Sequence, residues 1–76
     1  MSKWTPCKRK VFIKKLLNLN FKGPYSGSRH QFLIYNNYRL TIPSNDEYSV
    51  PQLKMMLREV KEIIGKEVEL EFWNNL

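Results

Sequence analysis

From Lys8 to Asn20 the apolar residues recur at helical spacing. At about 100° per residue, Phe12, Ile13, Leu16, Leu17 and Leu19 fall in one broad sector, and Lys8, Lys10, Lys14, Lys15 and Asn18 fill the opposite one. This predicts a helix with one buried and one basic face. Thr5-Pro6 suits its start, Thr as cap and Pro at the first helical position, unless the chain stays extended until Lys8. Asn20 tolerates the left-handed conformation that closes a helix, so Phe21 opens a new segment.

Phe21, Lys22 and Tyr25 predict a short first strand, although Gly23, Pro24, Ser26, Gly27 and Ser28 around them are turn formers. Phe32, Leu33, Ile34 and Tyr35 then run together, Asn36-Asn37 turns the chain, and Tyr38 to Ile42 returns, which reads as a tight hairpin. Both parities of its first strand are apolar, so alternation does not decide which face His30 takes. Pro43 ends the hairpin and Ser44 to Glu47 reads as a polar loop.

The next helix is marked by a capping box at Ser49 and Gln52, a hydrophobic staple of Tyr48 and Leu53, and a stop at Gly65. Leu53, Met56, Leu57, Val60 and Ile64 form its core stripe, with Lys54, Arg58 and Lys61 along one flank and Glu59 and Glu62 on another side. In the tail, Val68, Leu70 and Phe72 alternate like a strand, but Val68, Phe72 and Leu76 recur like a helix, and a short helix is the preferred reading. The expectation is one α+β domain over residues 1–76: a helix, two or three antiparallel strands, a helix and a short C-terminal extension. Both helices should cover one sheet face and leave the other wet.

A chain of 76 residues holds one small core and no large cofactor domain. No apolar run of about eighteen residues is present to span a membrane, and residues 1–10 lack the apolar stretch of a secretory signal, so a cytoplasmic protein is expected. The single cysteine, Cys7, has no partner for a disulfide and no nearby histidine for a metal set or a nucleophilic pair, and it reads as incidental. Charge changes the picture more. Residues 1–42 carry nine Lys and Arg and no acid, whereas residues 43–76 carry seven acids against four cations. A basic half that also contains the only histidine points to a polyanionic partner.

A lone histidine beside a glycine turn is usually a surface residue, but its neighbours here are distinctive. Gly27-Ser28-Arg29-His30 follows a basic amphipathic helix ending in Asn20-Phe21-Lys22 and precedes a hairpin, Pro43 and a capped helix. In that order of elements, over residues 8–65, the chain resembles the HicA family of toxins. The resemblance implies a fold like that of double-stranded RNA-binding domains, helix, three strands, helix, and metal-independent, cofactor-free cleavage of messenger RNA until a HicB-type antitoxin binds. It puts the catalytic histidine at His30 and the family's Gly-Ser pair at Gly27 and Ser28. Asn20 stands where a glycine is usual, a change that a left-handed position permits. Ser44 and Asn45 stand where a basic residue and a histidine are common, which removes a second candidate acid or base.

The chemistry fits these residues independently. RNA carries its own nucleophile in the 2′-hydroxyl, so cleavage needs a proton acceptor, a cation near the phosphate and held geometry. An imidazole exchanges protons near neutral pH, and Arg29, Lys22 and Arg39 are candidate cations. Gly27 would let backbone N–H groups approach a phosphate and Ser28 would donate to it, unless both serve only the turn. RNA binding is expected from the basic helix face and turn, Lys14 and Lys22 included, with Lys54 and Arg58 adding backbone contacts unless that flank is merely solvated. Trp4, Trp73 and the tyrosines either stack on bases or, the favoured reading for the tail aromatics, complete a thin core or a protein contact. An antitoxin would place acidic surface against Arg29 and Lys22. The competing readings are a non-catalytic double-stranded RNA-binding module and a protein-interaction domain.

Overall fold

The computed structural model describes residues 3–76. Its elements are β1 (Cys7–Lys8), α1 (Arg9–Asn18), β2 (Lys22–Ser26), β3 (Gln31–Tyr35), β4 (Tyr38–Ile42), β5 (Glu47–Tyr48), α2 (Val50–Ile64) and α3 (Leu70–Asn74). Strands β2, β3 and β4 form an antiparallel sheet in that order, and β1 pairs with β5 as a separate ribbon. The architecture is therefore α+β, with helix, three-stranded antiparallel sheet and helix in chain order. The tail forms the short helix preferred from its pattern.

Helix α1 starts later than Thr5-Pro6 alone would place it. The chain stays extended through Lys8, and the backbone N–H of Arg9 donates to the Asp46 carbonyl at 2.9 Å in place of a side-chain cap. Phe12, Ile13 and Leu16 are buried, but Leu17 is 40% exposed despite its place in the expected apolar sector. The reason is angular: Leu17 sits about 140° round the helix from Phe12, beyond the arc that one covering layer can bury. Asn20 closes the helix at φ 75°, as its position suggested.

Helix α2 follows its sequence signals closely. Ser49 Oγ accepts from the Gln52 N–H at 3.3 Å, Tyr48 and Leu53 are both buried, and Gly65 takes the left-handed stop. The second half of the capping box is absent, since the Gln52 amide turns instead to Asn45 Oδ1 at 3.4 Å.

One core joins the layers. Phe12, Leu16, Leu33, Leu40, Ile42, Tyr48, Leu53 and Val60 are essentially sealed from solvent, so both long helices cover the same sheet face. The Phe12 ring meets Tyr48 edge-on at 5.5 Å and Trp73 at 5.6 Å. Trp73 is thus a core residue, and the stacking alternative for it is overturned: its 3% exposure leaves no ring face for a base. Trp4 packs partly against the same cluster.

Around the Pro43 carbonyl a polar knot ties the pieces together. It accepts from the Tyr48 hydroxyl at 2.6 Å and from Arg9 Nε at 3.2 Å, while another nitrogen of the Arg9 guanidinium donates to Gln31 Oε1. Burial pushes the Tyr48 hydroxyl above its ordinary value, opposed by the adjacent Arg9 charge. A raised folded-state value means that its contribution is fully present below about pH 10 and is lost as pH rises through the folded value. Tyr48→Phe is expected to lower stability at neutral pH by about 1 kcal/mol in urea denaturation. The gap to wild type should close as pH climbs past about 10, because only the wild type has that buried hydroxyl to ionise. A constant gap across that range would show that the hydroxyl does not titrate in the folded state.

Candidate active site

Strand register decides which face each candidate takes. Phe32 pairs with Thr41 and Ile34 with Arg39, while the alternate residues Leu33 and Leu40 point into the core. Phe32, Ile34, Arg39 and Thr41 therefore share the face that no helix covers. On β2, Lys22 pairs with Ile34 and Tyr25 with Phe32, so Gly23 and Pro24 together oppose Leu33 alone. That bulge restores parity, and Lys22 and Tyr25 reach the same open face although they stand three positions apart in the chain. Gly23 makes this possible at φ 121°, where a Cβ would lie 3.0 Å from the Phe32 carbonyl oxygen. The turn formers Gly23 and Pro24 thus lie inside a strand, and only Gly27 to His30 turns the chain.

The open face carries two rows: Lys22, Ile34 and Arg39 in one, Tyr25, Phe32 and Thr41 in the other. At the end of the second row the β2–β3 turn brings Gly27, Ser28, Arg29 and His30 beside Phe32, Arg39 and Thr41 around an open cleft of about 290 Å³. His30 therefore belongs to the open face. Its imidazole is exposed and makes no hydrogen bond to another described residue, whereas its backbone carbonyl accepts from the Gly27 N–H at 3.1 Å. Gly27 is required there by contact, since a Cβ would meet that carbonyl oxygen at 2.5 Å. Its role in the turn is structural before it is anything else. Next to His30, Gln31 is held by Arg9, which anchors the start of β3 to the helical layer.

Of the cations singled out from sequence, Arg29 and Arg39 line the cleft and Lys22 stands on the same face. The Arg39 guanidinium lies 3.7 Å from the centre of the Phe32 ring and makes no hydrogen bond or ion pair with another described residue. Lys14, Lys54 and Arg58 are not brought to this cleft. Lys14 is exposed on α1, in the layer behind the sheet, and Lys54 and Arg58 line a separate cleft with Trp4, Leu57, Lys61 and Glu67. Lys61 there is paired with Glu67 at 2.7 Å, which raises its ammonium above the usual range. Two further cations of the basic half serve the fold: Arg9 through the Pro43 knot, and Lys15 by donating to the Trp73 carbonyl at 2.8 Å with its charge 5.2 Å from the indole centre.

No family profile, curated protein or solved structure matches this chain. Among the described residues no group of three His, Cys, Asp or Glu stands together as a metal set. Cys7 is buried beside β5, and burial pushes its thiol above the ordinary value, which argues against a nucleophile. Asn45, one of the positions after Pro43, serves the start of α2 by accepting from Gln52. The aromatic pair Tyr25 and Phe32 is the feature that sequence reasoning did not connect with His30, because the bulge that aligns them has no periodic signature.

Gly27→Ala tests how tightly the turn holds His30. The added methyl should strain the turn by roughly 1–3 kcal/mol, read by urea denaturation, and should move the amide resonances of His30 and Gln31 while those of α2 stay in place. Unchanged stability and unchanged resonances would mean that the turn relaxes freely and does not fix the histidine.

Proposed function

We propose that this chain is a metal-independent endoribonuclease and a toxin of the HicA type, with a fold like that of double-stranded RNA-binding domains, acting on messenger RNA in the cytoplasm and restrained by a HicB-type antitoxin. The observation that carries this reading is the meeting of His30 with Arg29, Arg39 and Ser28 on a sheet face whose strands and turns hold no carboxylate. Chain order supports the fold, since helix, three antiparallel strands and helix follow one another with both helices on one face.

In the proposed reaction His30 takes the proton of a ribose 2′-hydroxyl, and the oxygen attacks the adjacent phosphorus. The bond from phosphorus to the 5′-oxygen breaks, the leaving oxygen gains a proton from the imidazolium or from water, and a 2′,3′-cyclic phosphate remains. Negative charge grows on the phosphoryl oxygens during attack, where the guanidinium of Arg39 or Arg29 stabilises it. Ser28 and the turn N–H groups add neutral donors.

A non-catalytic RNA-binding module is the second reading, and one observation favours it: no described residue orients the imidazole of His30. One assay separates the two. The wild type in excess EDTA is expected to cut RNA and leave cyclic phosphate ends. His30→Ala should fold identically by circular dichroism and lose roughly a hundred- to ten-thousand-fold in rate. Wild-type cleavage by folded His30→Ala removes the histidine from the reaction, and binding without cleavage by the wild type selects the module.

The antitoxin follows from the same surface. A positive patch that attracts phosphate also attracts a carboxylate-bearing partner, so inhibition by direct occlusion should compete with RNA. Arg29→Glu should weaken binding of such a partner by placing like charges together, whereas Glu62→Lys on α2 should leave it within about twofold. Equal affinity of wild type and Arg29→Glu would move the inhibitor to another surface.

A further inference from the structure

The ribonuclease reading leaves open whether the substrate arrives paired or unpaired, and the open face of the sheet answers that. We propose that this face is a platform for single-stranded RNA: an unpaired base stacks on the Tyr25 ring, and Lys22 and Arg39 hold the flanking phosphates as the strand passes to His30. The identity of the polymer as RNA rests on the ribonuclease reading; the stacking itself does not.

Four observations carry it. Tyr25 is 47% exposed on a face where a small protein would be expected to keep polar residues, and its ring is backed by Phe32 at 5.7 Å with a 38° tilt. Such backing fixes the ring while leaving its outer side free for a base. Next, the Arg39 guanidinium rests on the Phe32 ring at 3.7 Å, which orders the side chain while its N–H groups remain without a partner among the described residues. Third, the bulge at Gly23 and Pro24 turns Lys22 onto this face, so cations stand in the row beside the aromatic one. Finally, residues 3–42 supply every strand and turn of the face and contain no acid, whereas all seven acids lie at Asp46 and beyond.

Duplex RNA cannot use this arrangement. Its bases are stacked inside the helix and it offers the protein phosphates, sugars and groove edges, so the two aromatic side chains would meet no ring. An acidic protein could satisfy the cations but gains nothing from a sequence-tolerant stacking surface. The cleft and the platform also lie within one short stretch of strand: Gly27 follows Tyr25 by two residues, about 7 Å along an extended chain. The base on Tyr25 and the phosphodiester at His30 therefore belong to the same few nucleotides.

The test uses the full chain carrying His30→Ala, to prevent turnover, and a ten-nucleotide single-stranded RNA containing one 2-aminopurine, at physiological salt. Quenching of the 2-aminopurine fluorescence is expected on binding, because the base stacks on an aromatic ring. Adding Tyr25→Ala should abolish the quench and weaken affinity by roughly five- to hundredfold, the range for one lost base–aromatic stack. Tyr25→Phe should retain both. The double change Lys54→Ala and Arg58→Ala should leave both unchanged, and an RNA duplex of equal length should bind more weakly than the single strand and be indifferent to Tyr25→Ala.

Equal binding and equal quenching with Tyr25→Ala overturn the proposal, as does preference for the duplex, or competition by polyglutamate that matches the RNA. Failure of the ribonuclease reading looks different. In that case the quench depends on Tyr25 as expected, but the protein with His30 intact leaves the RNA uncut. Cleavage that is insensitive to Tyr25→Ala would be the converse, an active ribonuclease without the platform.

Discussion

A single carbonyl holds the two layers in register. The Pro43 oxygen accepts from the Tyr48 hydroxyl and from Arg9 Nε, and the same guanidinium reaches across to Gln31. The end of β4, the start of α1, the start of β3 and the ribbon of β1 with β5 are thereby fixed to one another. A chain this short buries few large side chains, so sheet and helices could slide against each other if apolar contact alone held them. A charge-assisted fork resists sliding because its donors and acceptors have direction. Gln31 is the residue after His30, so the same knot sets where the cleft begins.

The parts of this architecture legible in the sequence were local. Both long helices announce themselves by periodicity and by residues at their ends, and Ser49, Gly65 and Asn20 take the conformations their types suggested. Asn36 supplies the positive φ of the hairpin turn in the same way. Pairings between distant segments left no such trace. Residues 44–47 look like a loop because nothing near them says that Glu47 and Tyr48 will meet Lys8 and Cys7. Gly23 and Pro24 look like a turn because a bulge uses the same residue types. The face of His30 was undetermined for a related reason: Phe32 and Ile34 on the open side are as apolar as Leu33 behind them, so alternation carries no sign.

Charge followed the same division. Counting cations points to the first half of the chain but treats its members as equivalent. Arg9 and Lys15 are bound inside the fold by carbonyl groups, and Lys14 stands in the layer behind the sheet. What remains on the open face is a smaller set, Lys22, Arg29 and Arg39, arranged around aromatic rings. For binding, that arrangement matters more than the total, because a phosphate responds to the few charges within a Debye length of about 8 Å at physiological salt.

The same residues also address a hazard of this architecture. In the order β2-β3-β4 the outer strands end the sheet, and unpaired strand edges invite another chain to add on. Exposed Tyr25 would strengthen such an encounter. Lys22 on β2 and Arg39 on β4 place a cation on each outer strand, so two copies meeting edge to edge would set like charges together. The bulge in β2 further disrupts the regular ladder that an incoming strand would need. Charge that repels a second copy attracts a polyanion, and the aromatic surface that would otherwise promote aggregation is then available for a base. On the reading proposed above, the charge that opposes edge-to-edge pairing of two copies is the same charge that would recruit the RNA.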